Sequence, residues 1–124
     1  MKRLLTIGLV LLSTSAWAEW VLISKTGTGA LFYVDPTTKK SGRRPRVWLL
    51  DSYATTSDGG AMSDKSLVEA DCSEGRVRPL SILFYRDQQG KDYLRSEAPT
   101  AEWFYPVPNS VLSDVFLYLC GKAP

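Results

Sequence analysis

The chain has 124 residues, with 15 Lys and Arg against 13 Asp and Glu, two Cys and no His. That length holds one ordinary domain, and 44% apolar with 23% charged residues is the composition of a globular chain, not a disordered one. Without His there is no Ser-His-Asp or Cys-His pair, no imidazole proton shuttle and no His-ligated zinc or haem.

Residues 1–18 read as a cleaved secretory signal. Lys2 and Arg3 give a positive start, residues 4–12 are apolar apart from Thr6 and Gly8, and Ala16-Trp17-Ala18 places small residues where a signal peptidase reads them. The apolar stretch falls short of the roughly 20 residues that span a bilayer. Cleavage between Ala18 and Glu19 leaves residues 19–124 as one domain with no transmembrane segment. Losing Lys2 and Arg3 brings the basic residues level with the 13 acidic ones, so that domain is neutral. A neutral domain lacks the basic surplus that phosphate contacts need, which argues against nucleic acid. No Cys lies near the cut, so no lipid anchor is expected.

In the domain, residues 20–25 read as a strand, Thr26-Gly27-Thr28-Gly29 supplies a turn, and residues 31–35 read as the returning strand. Asp35-Pro36 closes it, and a polar loop runs to Arg44. A third strand covers residues 46–53, followed by a second polar loop at 55–60. Residues 66–72 read as a fourth strand, with a turn closed by Gly75. Residues 80–86 form a fifth strand, with Pro79 expected at a strand start or edge. A turn at Gln88-Gln89-Gly90 leads to a short sixth strand over residues 92–96.

From Ser110 the period changes. Val111, Leu112, Val115, Phe116, Leu119 and Cys120 follow the spacing of one helical face. Asn109 or Ser110 can cap its start and Gly121 its end. Cys72 and Cys120 are the only thiols, and export sends them to an oxidising compartment. One intramolecular pairing is possible, and a free thiol or an intermolecular bridge is the alternative. A bridge across so long a loop contributes about 4 kcal/mol in the chain-entropy account. The layout is an α+β domain, a six-stranded antiparallel sheet with the helix on one face, pinned near Cys72.

Several segments carry a resemblance. They are the early Trp strand, Val47-Trp48-Leu49-Leu50-Asp51-Ser52-Tyr53, Glu69-Ala70-Asp71-Cys72, Arg76-Val77-Arg78-Pro79-Leu80 and Phe84-Tyr85. Trp103-Phe104-Tyr105-Pro106-Val107-Pro108-Asn109-Ser110 and the helix ending in Leu119-Cys120 complete them. In this order and spacing the chain resembles the surface-adhesin protein E family of Gram-negative bacteria over the whole mature length. The resemblance implies a six-stranded antiparallel sheet with a C-terminal helix tied to it by a disulfide, in agreement with the layout above. It also implies adhesion to host extracellular-matrix or serum proteins such as laminin or vitronectin. A periplasmic binding or envelope-assembly module, with an envelope protein as partner, is the alternative. Both place the chain outside the cytoplasm, in the periplasm or at the cell surface.

Candidate contact residues follow from charge and exposure. Lys39, Lys40, Arg43, Arg44 and Arg46 form the basic cluster, on a predicted loop where an acidic partner can dock. Strand alternation exposes about half of the aromatics, and Tyr85, Tyr93 and Tyr105 are the expected contacts. Asp35, Asp51, Glu69 and Asp71 are the carboxylates to weigh for acid–base chemistry, with Asp51 and Glu69 expected as solvent-facing strand charges. Gly27-Thr28-Gly29 lacks the length and Lys of a phosphate loop, and the Asp58-Gly59-Gly60 loop has too few ligands for a metal. No catalytic residue, metal or cofactor is expected, and the chain is not read as an enzyme.

Overall fold

The computed structural model describes residues 7–8 and 19–124. Apart from Ile7 and Gly8, the export signal expected over residues 1–18, with its cleavage point at Ala18, lies outside the described residues. Strands β1 (Val21–Lys25), β2 (Leu31–Val34), β3 (Arg46–Ser52), β4 (Ser63–Asp71), β5 (Arg76–Tyr85) and β6 (Tyr93–Glu97) form one six-stranded sheet. Each strand pairs antiparallel with its neighbour in sequence, so the sheet is a simple meander. Helix α1 (Val111–Cys120) follows.

Alternation along the strands decides what lies beneath the helix. Val34 is opposite Leu49, Val47 opposite Val68, and Ala70 opposite Val77. These six side chains share one face and form the buried core with Val115, Phe116 and Leu119 of α1. The opposite face carries Tyr33, Trp48, Leu50, Lys65, Leu67, Glu69, Arg76 and Arg78, and no helix covers it.

The helix begins where its capping chemistry puts it. The Ser110 hydroxyl accepts from the Ser113 N–H at 3.2 Å, and the Ser113 hydroxyl accepts from the Ser110 N–H at 3.0 Å. At the far end Gly121 takes φ 71°, and its N–H donates to the Leu117 carbonyl at 2.8 Å. One residue earlier, Cys120 is bonded to Cys72 with 5.6 Å between their Cα atoms. Both partners pack against the core cluster, so the bridge ties the last turn of α1 to the end of β4.

The strand boundaries differ most from the sequence reading in β4 and β5, the others shifting by a residue. β4 starts at Ser63 and stops at Asp71, leaving Cys72 in the turn over residues 72–75. β5 starts at Arg76, which puts Pro79 inside a strand. Geometry explains the tolerance. The Val77 N–H and C=O both bond Phe104, on the flank away from β4. Alternation then turns Arg78 toward β4 and Pro79 back to that outer flank, where β6 pairing begins only at Ile82. The missing proline N–H therefore removes no ladder bond. The register shift between Leu67 and Val68 lies just beyond, with Leu80 as the extra residue.

Cys120→Ser, which opens a loop of 48 residues in sequence separation, is expected to lower the melting temperature by well over ten degrees. That follows from about 4 kcal/mol of stabilisation at roughly 4–8 °C per kcal/mol for a domain near this size. Differential scanning calorimetry of parent and variant, both under oxidising conditions, checks it, and coincident melting curves would contradict it.

Candidate functional site

The four carboxylates fall into three environments. Asp35 caps the 3-10 turn Pro36–Thr38, accepting from the Thr37 N–H at 3.0 Å and the Thr37 hydroxyl at 2.6 Å. Asp71 and Glu69 lie on the uncovered face and are paired with arginines. Asp51 stands directly opposite Asp64 on the helix side of the sheet. It is not the solvent-facing strand charge expected from the sequence.

Burial above all, then the neighbouring Asp64 charge, push the Asp51 carboxyl up to about 7. Its Oδ1 is shut away from solvent with no hydrogen-bond partner among the described residues, which suits a neutral carboxyl better than a charged one. Burial raises Asp64 too, against the hydrogen bonds from Tyr53 and Asp51 that favour its charged form. The Tyr53 hydroxyl donates to Asp64 Oδ2 at 2.5 Å, and burial together with that bond holds the phenol protonated. Asp64 lines a small groove of about 210 Å3 with Ser66, Ile82, Phe84, Phe104 and Leu112.

On the uncovered face, charge and aromaticity converge at one end. Glu69 is opposite Arg78 and Asp71 opposite Arg76 across the β4–β5 ladder. Arg78 donates through Nε and Nη2 to Glu69 Oε1, at 3.1 and 2.9 Å. Arg76 does the same to Asp71 Oδ2, at 3.2 and 3.1 Å. Burial pushes the Asp71 carboxyl up, but bonds from Ser73, Arg76 and the Glu74 N–H outweigh it and hold it below the usual carboxylate range. Glu69 is only 12% exposed in its side chain, which corrects its reading as a free surface charge.

The Phe104 bridge to Val77 lays the chain along β5 and places Trp103 over these arginines. The guanidinium carbons of Arg78, Arg76 and Arg44 lie 4.3, 4.6 and 5.4 Å from its ring centroid. Arg46 projects from the same face beside Glu69, exposed, and Arg43 is exposed on the loop before it. None of Arg43, Arg44 and Arg46 has an ion-pair partner among the described residues. The site is a rigid aromatic platform on two neutralised arginines, fringed by three cations without counter-charge.

The remaining basic candidates go elsewhere. The Lys39 ammonium donates to the Tyr118 carbonyl at 3.2 Å and lies over the Tyr118 ring, so it serves the C-terminal end of α1. Lys40 bridges to Arg46 through its backbone and shapes the loop. Among the tyrosines, Tyr93 is 54% exposed and Tyr105 68%. Tyr85, expected as an exposed contact, is 8% exposed: it lies beneath Tyr93, with ring centroids 6.2 Å apart, and beneath the Lys65 ammonium. Arg76, Arg78 and Trp103 were missed from sequence, although the charges of Glu69, Asp71, Arg76 and Arg78 are symmetric about the turn between them.

The sequence profile of the family described as surface-adhesin protein E matches residues 20–121. Crystal form II of Haemophilus influenzae protein E is similar in structure, with a TM-score of 0.61 at 13% identity over 87% of this chain and 91% of that one. The selenomethionine form of the same protein gives 0.60 at 13% identity, over 89% and 92%. Protein E from non-typeable Haemophilus influenzae gives 0.55 at 13%, over 87% and 79%. At such identity the likeness speaks to the fold alone. No curated protein matches the sequence.

The carboxyl pair gives the fold a measurable pH dependence. With Asp51 raised from 3.8 to about 7, the folded chain holds a proton in that interval that the unfolded chain has released. Its contribution to stability therefore falls as pH rises through the window. Asp51→Asn is expected to stabilise the protein at pH 8 by about 1–2 kcal/mol, a figure reduced from the full shift because the pair is part exposed to solvent, and to change little near pH 4. Urea unfolding of both proteins at the two pH values tests this, and an equal difference at both would refute the raised carboxyl.

Proposed function

The chain belongs to the surface-adhesin protein E family, and on that premise we propose that it is an exported, non-enzymatic protein-binding domain that adheres to host extracellular-matrix or serum proteins of the laminin and vitronectin kind. The observation that carries this reading is the Trp103 platform with Arg43, Arg44 and Arg46 around it, on a sheet face that no helix covers. Aromatic and arginine side chains are the residues that concentrate binding energy at protein interfaces. Here Arg76 and Arg78 are fixed before any partner arrives, so little side-chain entropy is lost on docking. Unpaired guanidinium groups at the fringe favour an acidic partner and speed its encounter. Tyr105, exposed two residues beyond Trp103, extends the same surface, and Tyr93 offers a second exposed ring on β6.

The first test is location. Protease shaving of intact cells, with a periplasmic protein as leakage control, is expected to remove this protein while the control survives. Protection until the outer membrane is opened would place it in the periplasm and turn the search to envelope partners. The second test is binding of the purified protein to immobilised laminin and vitronectin. The triple variant Arg43→Glu, Arg44→Glu, Arg46→Glu is expected to bind at least tenfold more weakly, about 1.4 kcal/mol. Its fold, checked by circular dichroism, should be retained, with the melting temperature lowered by a few degrees, because Arg44 leaves the Trp103 ring and a carboxylate at position 46 faces Glu69. Unchanged binding in the variant would remove this face from the adhesion surface.

A further inference from the structure

The uncovered sheet face carries a second feature, at the end away from Trp103. The loop over residues 86–92 folds back across β3 and β4 and leaves a pocket of about 550 Å3 between itself and the β1–β2 hairpin. That volume is inside the roughly 300–1,000 Å3 range of ligand sites. Trp20, Leu31 and Tyr33 line one wall, Leu50 and Lys65 the floor, and Gly90 the loop side.

The pocket is built, not left over from loose packing. Asp87 gathers the loop by accepting from the N–H groups of Gln89, Lys91 and Asp92, at 3.2, 2.9 and 2.8 Å. The Ser63 hydroxyl donates to the Asp87 carbonyl at 2.5 Å, and the Gln88 side-chain amide donates to the Tyr53 carbonyl at 2.8 Å. Gly90, at φ +69°, seats the loop so closely that a Cβ there would come within 2.7 Å of Lys65 Cε and 3.2 Å of Leu50 Cδ1. The loop wall is therefore fixed against the floor at several points.

The chemistry of the floor points to a charge. Lys65 is half-buried, and its ammonium lies 4.8 Å from the Tyr85 ring centroid and 5.5 Å from that of Trp20. No carboxylate forms an ion pair with it among the described residues. The nearest acids are engaged elsewhere: Asp87 with its own loop, and Asp35 with Thr37. Burial lowers the ammonium's pKa, while Asp87 and Asp35 at longer range partly restore it. An ammonium in this position keeps N–H donors that ring faces alone do not satisfy.

We propose that this pocket binds a small monocarboxylate with an apolar body, the carboxylate on the Lys65 ammonium and the body against Trp20, Leu31, Tyr33 and Leu50. Charge complementarity selects the acid, because the half-buried cation gains a partner that the protein does not provide. The apolar wall then adds affinity in proportion to the area it covers. The proposal is independent of the adhesion surface, since none of Arg43, Arg44, Arg46 or Trp103 lines the pocket.

Isothermal titration with decanoate and 2-naphthoate, each against its neutral amide, tests the proposal on the purified exported protein. At least one acid is expected to bind with a Kd below about 1 mM, and its amide at least tenfold more weakly. Lys65→Met, which keeps the length of the side chain and removes the charge, should lose at least tenfold for the acid with an unchanged fold. Amide NMR shifts on titration should map to Leu31, Tyr33, Gly90 and Lys91, in the parent and also in the Arg43/Arg44/Arg46 charge-reversed variant. Absence of binding by either acid, equal binding of acid and amide, or full affinity in Lys65→Met would overturn the assignment. So would the same shifts arising from raised protein concentration alone, which would give the pocket to a second copy of the chain.

Discussion

One short helix cannot cover this sheet. Ten residues of α1 make a rod about 15 Å long, while six strands at about 4.8 Å spacing span about 24 Å across the hydrogen-bonding direction. The helix packs on β1 to β5 around Ile23, Val34, Val47, Val68 and Val77, and leaves the rest of that sheet face open beyond Leu49. The other face receives no helix at all. The Trp103 platform and the Lys65 pocket lie on the face the helix does not reach, and the Asp51–Asp64 pair lies on the helix side beside the groove that Leu112 lines.

The position of the helix is set by its buried Val115, Phe116 and Leu119 together with covalent and capping chemistry. The Ser110–Ser113 capping box starts it and Gly121 stops it, while Cys120 fixes the last turn to Cys72 in the turn after β4. The Lys39 ammonium on the Tyr118 carbonyl adds a charge where the helix dipole is negative. Sheet and helix are thereby locked in one relation, and the uncovered face stays uncovered. A sheet face exposed in this way is normally an aggregation hazard. Here paired charges, a stacked Trp and a folded-back loop occupy it in place of bare aliphatic side chains.

Much of this was legible in the sequence, for physical reasons that also mark where legibility ended. Period-2 patterns and turn residues gave six strands in order, and the spacing from Val111 to Cys120 gave the helix and its caps. Two thiols in an exported chain gave the bridge. What the pattern could not supply was which face the helix would cover, because bulges near Ile23 and Leu80 break alternation. The expectation of solvent for Asp51 and Glu69 rests on how little depth one sheet with one helix offers, and that for Tyr85 on alternation; cross-sheet neighbours bury each of them partly or fully. The Glu69–Arg78 and Asp71–Arg76 pairs were within reach, since their positions mirror each other about the turn at 72–75. A reading that places Pro79 at a strand start hides them, because the strand begins at Arg76.

The uncovered face is divided in a way that matters for what it can bind. On β4, Lys65 and Glu69 are four residues apart, about 13 Å along the strand. That exceeds the Debye length of about 8 Å at physiological ionic strength, which weakens the interaction between the pocket cation and the cations around Trp103, though less for a half-buried ammonium than for an exposed one. Between them lie Trp48 and Leu67, uncharged and partly buried. A carboxylate held at Lys65 therefore changes the field at Arg46 only modestly, and a protein docked on Trp103 need not displace it. Coupling between the two sites would have to pass through β4 itself, whose nine residues all pair with β5 and seven of which also pair with β3. Coupling needs an element with two arrangements, and a strand paired on both edges along most of its length is a poor candidate for one, so the two ends of the face act as separate sites on one sheet.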